Sequence, residues 1–305
     1  MQTGLPLPPP LTRKITVKAA MLMKIPKRLQ PLVEEGLVDQ VVRQLMSGKE
    51  ATVYVVRCGD EIRCAKVYKE ATQRSFHQAV AYQEGRRVKN SRQARAMEKG
   101  TRYGRKMAEE VWQNAEVDAL YRLAAAGVRV PKPYLCLEGV LLMDLVHDAD
   151  GNAAPRLGDM ALSREQALEF HAVLLQQVVL MLCAGVIHGD LSEYNILVDA
   201  HGPVIIDLPQ AVDAAGNSAA PAMLERDVTN LANFFGTFVP ELLDTQYGKE
   251  IWGLYQAGLL APDVPLTGRV EASKEPADVQ AVIREIELAR HEEEERRRHQ
   301  TEIPA

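Results

Sequence analysis

Ile187-His188-Gly189-Asp190-Leu191-Ser192-Glu193-Tyr194-Asn195-Ile196-Leu197-Val198 decides how this chain is read. It is a polar turn that closes into an apolar run, and a second run, Val204-Ile205-Ile206, ends on Asp207. Two aliphatic runs around a short polar break read as a β-hairpin. Asp190 and Asn195 then lie on the turn that enters it, and Asp207 lies at its exit. Phosphoryl transfer from ATP needs this set. One carboxylate, Asp190, receives the acceptor's proton, and two oxygen ligands, Asn195 and Asp207, hold the Mg²⁺ beside the triphosphate. Taken without chemistry, the same residues are a polar turn between two core strands.

The rest of the composition is that of a globular protein. At 305 residues, with 47% apolar and 25% charged residues, the chain can bury a sizeable core as one two-lobed domain or two small ones. A formal net charge of −5 gives no global reason to expect nucleic acid. Cys58, Cys64, Cys136 and Cys183 are scattered, without zinc spacing, which fits a reducing cytosol. Prolines break the N-terminal apolar run Leu5–Leu11, so it is not read as a signal peptide. The apolar stretch Val173–Val186 is too short for a bilayer and carries Gln176-Gln177. A cytoplasmic protein without a membrane partner is expected.

Along the chain, residues 1–26 are a Pro-rich, then basic, extension. Leu29, Val33, Leu37, Val41 and Leu45 recur at helical spacing and predict one or two short helices. Ala51–Val56 and Ile62–Tyr68 predict a hairpin around Cys58-Gly59-Asp60, and Tyr134–Glu138 with Val140–Leu145 a second one around Gly139. Between them, 74–106 carries ten Lys or Arg against two Glu, and a helix is predicted over 106–126 with Gly127 beyond its end. Ser163-Arg164-Glu165-Gln166 is a capping box opening a long helix that Gly185 closes, with Leu168, Leu175, Val179 and Leu182 buried against the catalytic loop. Pro221 starts a helix running to about Phe235, and 271–305 reads as a charged helical tail. The fold class is α+β: a strand-rich lobe over 27–143, with 74–106 inserted, and a helix-rich lobe over 144–270.

His188-x-Asp190-Leu191-x-x-x-Asn195 is similar to the catalytic-loop signature of the protein-kinase superfamily. More narrowly, the chain resembles the RIO-type atypical protein kinases from about Leu45 to Phe235. The resemblance rests on Ser47-Gly48-Lys49-Glu50-Ala51-Thr52-Val53-Tyr54, Lys66-Val67-Tyr68-Lys69, Pro155-Arg156-Leu157, the Asp-Leu-Ser-Glu-Tyr-Asn wording of 190–195, and Ile205-Ile206-Asp207. The segment before it looks too short for the winged helix of one RIO branch, so the branch without it is the better match.

That resemblance implies a two-lobed kinase-like fold without a regular activation loop, and roles for particular residues. Ser47 and Lys49 would contact phosphate, although one glycine stands where kinases carry three and a plain surface turn is the other reading. Val53 and Cys64 would border the nucleotide, Met143 would be the gatekeeper, and Leu145 would belong to a hinge over 144–146. An ordinary strand end would look the same. Lys66 lies in an apolar strand, so its ammonium needs a partner if it points inward; an edge-strand lysine in solvent is the alternative. The kinase solution pairs it with a helix glutamate and with phosphate. Counting back from Leu120-Tyr121-Arg122-Leu123 selects Glu116 over Glu109 and Glu110. Asp227 matches the position from which kinases tether the catalytic loop, or is a solvated helix residue. His188 is structural on this reading.

Departures from the wider kinase pattern matter too. Gly189 replaces the usual arginine, Asp207-Leu208-Pro209 replaces D-F-G, and no A-P-E follows. These changes argue against activation by a phosphorylated loop. The expected function is Mg²⁺- and ATP-dependent phosphorylation of protein serine or threonine, itself included, with ATP and protein substrates as partners. The family's association with ribosome assembly makes ribosomal particles or RNA candidate partners for 74–106, whose charges are otherwise merely solvated. A small-molecule kinase of the aminoglycoside or choline type and an ATP-gated assembly switch are the alternatives.

Overall fold

A computed structural model describes residues 24–69 and 115–270. The segment 74–106, the tail 271–305 and almost all of the N-terminal extension lie outside the described residues.

A 3-10 turn, Lys27–Leu29, runs into a short helix α1 (Gln30–Glu34), and Gly36 follows at φ 69°. The helical spacing does not carry on as the sequence predicts: Val41 and Leu45 belong to strand β1 (Gln40–Ser47). Gly36 breaks the helix, and Val41-Val42 pack into a sheet instead. Register shifts at Val41/Arg43 and Gln44/Met46 distort the two-residue alternation of β1, which is why its pattern passes for helical.

Strands β2 (Ala51–Cys58) and β3 (Glu61–Tyr68) form the expected hairpin, turning at Gly59 with φ 61°. Helix α2 covers 115–125, and Gly127 follows at φ 79°. Strands β4 (Pro133–Leu137) and β5 (Val140–Asp144) make the second hairpin. Together the strands form one antiparallel sheet in the order β1-β2-β3-β5-β4. Alternation gives the sheet two different faces. Ala65, Val67, Val140 and Leu142 pack with Leu29, Leu32 and Val38 on one side. On the other, Lys66 lies opposite Val53 and Leu141, and Cys64 opposite Met143.

The second half is mainly helical. Helix α3 (Arg164–Cys183) opens on the predicted capping box: the Ser163 side chain accepts from the Gln166 backbone N–H, and Gln166 returns a bond to the Ser163 backbone. By length and composition this helix could cross a membrane, but half of it is buried inside the fold. Leu175, Val179 and Leu182 are buried as expected, whereas Leu168 is 42% exposed. The buried stripe runs instead through Ala167, His171 and Leu174, so Leu168 falls on the solvent side. Strand β6 (Val186–Ile187) leads into the loop that carries Asp190, which closes into the hairpin β7 (Ile196–Asp199) and β8 (Gly202–Ile205). Strand β9 (Val212–Asp213) returns to pair with β6, and helices α4 (Ala220–Gly236) and α5 (Tyr247–Gln256) complete the core. The architecture is the α+β arrangement expected from the sequence.

Candidate active site

Lys66 does not point to solvent. Its ammonium donates to Glu116 Oε1 at 2.5 Å and to Asp207 Oδ1 at 2.7 Å, so β3, α2 and the exit of β8 meet at one nitrogen. Lys66 is 7% and Glu116 2% exposed. Such burial is tolerable only with partners, and Tyr68 adds one by donating its hydroxyl to Glu116 Oε2 at 2.6 Å. Desolvation opposes the Lys66 charge, but Glu116 and Asp207 outweigh it and hold its pKa above the usual ammonium value. Desolvation likewise opposes ionisation of Asp207. The Lys66 ammonium, with His188 and Arg156, still holds that carboxyl below the usual range. Asp207 adopts φ 65°, a left-handed conformation that aspartate tolerates better than most residues. Glu109 and Glu110, the rival partners for Lys66, lie outside the described residues.

The loop carrying Asp190 is held differently. Asp227, on α4 and 2% exposed, accepts from the Gly189 N–H through Oδ2 at 2.8 Å and from the Leu191 N–H through Oδ1 at 3.0 Å. This is the tethering position, not a solvated one. Arg226 donates to the Gly189 carbonyl, and Asn230 Nδ2 to the Leu191 carbonyl at 3.0 Å. One helix face therefore satisfies both backbone groups of Gly189 and of Leu191, on either side of Asp190. Burial pushes Asp227 up to about 6, against the pull of His188, the two amides and Arg226. His188 accepts from the Asp190 N–H at Nδ1, which makes Nε2 the donor to the Ile206 carbonyl at 3.0 Å. It is buried and structural, as the sequence suggested.

Asp190 itself opens to solvent, with its carboxyl raised by partial desolvation against the pull of His188 and Arg226. Asn195 Nδ2 donates to the Asp190 carbonyl at 2.8 Å, which leaves the amide oxygen as its ligand atom. Among the described residues no group of three or more His, Cys, Asp or Glu could hold a metal unaided. Asn195 and Asp207 offer two hard oxygens. That suits Mg²⁺, which takes one or two protein ligands where phosphates and water supply the rest.

The remaining predicted residues lie around this centre. Ser47 and Lys49 are exposed at the β1–β2 turn, where the Ser47 hydroxyl meets that of Thr52 at 3.2 Å. Lys69, which carried no role in the sequence, ties that turn down by donating to the Gly48 carbonyl at 2.6 Å. Val53 and Met143 are half-buried on the Lys66 face of the sheet. Cys64 is buried there too, its thiol pushed up to about 12 by desolvation and so a neutral apolar surface. Leu145 lines a cavity of about 670 Å³ with Arg63, Arg129, Tyr134 and His147. Lys66, Asp190, Asn195 and Asp207 do not line that cavity, so it is not the seat of the chemistry. Tyr68 and Lys69 stood in a quoted motif without a role, and Arg226 and Asn230 are the site residues that sequence reasoning missed. Each acts through a contact distant in sequence that no local spacing announces.

Residues 52–247 match the RIO domain family. The chain is 34% identical over 206 residues to the RIO-type serine/threonine-protein kinase Rio1 of Haloferax volcanii, covering 67% of this chain and 66% of that one. It is 35% identical over 191 residues to the protein of the same name from Methanocaldococcus jannaschii, covering 62% and 60%. Identity to the human serine/threonine-protein kinase RIO1 is 30% over 206 residues, 67% of this chain and 34% of the human one. The matches thus span from about a third to about two thirds of these relatives' lengths. The chain belongs to the RIO domain family.

Proposed function

We propose, from that membership, that the chain transfers the terminal phosphoryl group of Mg²⁺·ATP to serine or threonine hydroxyls of protein, its own included. The observation that carries the reading is the Lys66 ammonium held between Glu116 at 2.5 Å and Asp207 at 2.7 Å, beside the loop that bears Asp190. Glu116 fixes Lys66 so that its remaining donor capacity faces the nucleotide's phosphates. Asp207 and the amide oxygen of Asn195 would hold Mg²⁺, which supplies charge neutralisation on the phosphate oxygens. Asp190 accepts the proton of the attacking hydroxyl, and the partial desolvation that raises its pKa makes it a better base. Val53, Cys64 and Met143 give the adenine an apolar wall, with backbone groups of 144–146 beside it. Ser47 and Lys49, exposed at the β1–β2 turn, would meet phosphate.

The same reading puts the enzyme in the cytoplasm. It gives the 74–106 segment an RNA or ribosomal-particle partner, supported by an excess of eight positive charges there. The test is incubation of the full chain with γ-labelled ATP, alone, with ribosomal particles and with a generic basic protein, followed by phosphoamino-acid analysis. Label on serine or threonine is expected. Many turnovers onto added protein mark a kinase, and stoichiometric self-labelling with slow turnover marks an assembly switch. Label transferred only to a small molecule such as an aminoglycoside or choline would overturn the proposal.

A further inference from the structure

Arg156 sits at this site and the mechanism above does not use it. It pairs with Leu197 of β7 in an isolated antiparallel bridge, and the Val198 N–H donates to the neighbouring Pro155 carbonyl at 2.9 Å. The segment is thus pinned to β7 by an isolated bridge, two residues beyond Asn195. The 3-10 turn that follows, Leu157–Asp159, presses on the catalytic loop: a Cβ on Gly158 would meet Glu193 Cγ at 3.0 Å. Both contacts fix the backbone from which Arg156 projects.

From there the guanidinium reaches the sheet. Its Nη2 donates to Met46 Sδ at 3.5 Å, on β1 immediately before Ser47. Among the described residues Arg156 has no carboxylate within ion-pair distance, and its hydrogen-bond partner is a thioether, a weak acceptor. A guanidinium is a rigid fork of five donors that matches phosphate. Here such a fork reaches from beside β7, two residues beyond Asn195, to Met46 next to Ser47, with most of its donor capacity unspent.

We propose that Arg156 is a phosphate-binding residue that exchanges Met46 for the terminal phosphate of bound Mg²⁺·ATP. Lys66 is committed to Glu116 deep in the site, whereas Arg156 projects from its bridge to β7, on the Asn195 side where the acceptor is activated. The terminal phosphate is therefore the group it meets. This inference rests on the nucleotide-binding reading above and deepens it.

The experiment titrates Mg²⁺·ADP and the Mg²⁺ complex of the non-hydrolysable analogue adenylyl imidodiphosphate into the full chain, as wild type, Arg156→Ala and Arg156→Lys, by calorimetry. Arg156→Ala is expected to weaken the triphosphate analogue by at least about tenfold, the weight of a charge-assisted hydrogen bond. ADP binding should change little, so the preference for triphosphate collapses. Arg156→Lys keeps the charge without the fork and should recover part of it. Equal loss of both nucleotides would mean a structural role, and no loss of either would mean no phosphate contact. Each result overturns the inference. Wild type that binds neither nucleotide would instead overturn the functional reading on which it rests.

Discussion

The Lys66 cluster gathers an ammonium and two carboxylates from β3, α2 and the exit of β8, and charge holds them together, with Lys66 and Glu116 buried and Asp207 open to solvent. The Asp190 loop is continuous in sequence, and one face of α4 holds its backbone: Arg226 and Asn230 donate to its carbonyls and Asp227 accepts from its N–H groups. The difference separates two tasks. The buried Lys66–Glu116 pair is expensive to break, because either residue leaves the other unpaired in low dielectric. A backbone clamp loses its members one at a time, and the loop loosens before it fails. Damage to the cluster should therefore reach nucleotide binding and structure, and damage to the clamp should reach the chemical step.

The largest effect expected is in the cluster. Lys66→Ala and Glu116→Ala should each lower kcat/KM by about a hundredfold, and the double variant should lose clearly less than the product of the two. Strict additivity in that cycle would break the comparison, since it would mean that the 2.5 Å contact does not couple the residues in the working enzyme.

In the clamp, Asp227→Asn turns one of two acceptors into a donor facing an N–H. It should cost about tenfold in kcat with nucleotide affinity retained, as for one lost loop hydrogen bond. An equal loss in affinity would show that the loop is not a separate unit. The same variant carries a stability signature. Because Asp227 is raised to about 6 when folded, the native state holds a proton that the unfolded chain has released between the usual carboxylate range and that pH. Its contribution is complete at low pH and is lost as pH rises through about 6. The wild-type melting temperature should fall relative to that of Asp227→Asn over this interval and run parallel above it.

The smallest expected effect is none. The connection from Asp207 to α4 is tied down by the β6–β9 pairing, by the Ala214 N–H to the Gly185 carbonyl at 3.0 Å, and by Leu208, 1% exposed. Arg226, the cation beside Gly189, already donates to its carbonyl. That connection is not a mobile loop and the cation beside Gly189 is already engaged, so phosphatase-treated protein should keep its initial rate within about twofold. A large loss, restored by preincubation with ATP, would reveal a phosphate switch.

What the sequence made legible was local. The loop's ligand spacing, the capping box at Ser163 and the inward face of Lys66 each follow from a period or a short motif. Glu116 was reachable by counting along one helix. Strand β1 was not, because its bulges distort the alternation that marks a strand. Nor were Arg226 and Asn230, polar residues on a helix whose partners lie more than thirty positions away. Arg156 stood in a quoted motif without a role, since only the bridge to Leu197 places it beside Asn195.

The central claim is that Asp190 works on the acceptor and the Lys66 cluster on the nucleotide. It is tested most directly by measuring single-turnover transfer and Mg²⁺·ATP affinity together in Asp190→Asn. Transfer should fall by roughly 10² to 10⁴, the range for loss of a general base, while affinity stays within about twofold of wild type. A collapse of ATP affinity in a variant whose melting temperature is unchanged, or transfer at the wild-type rate, would contradict it.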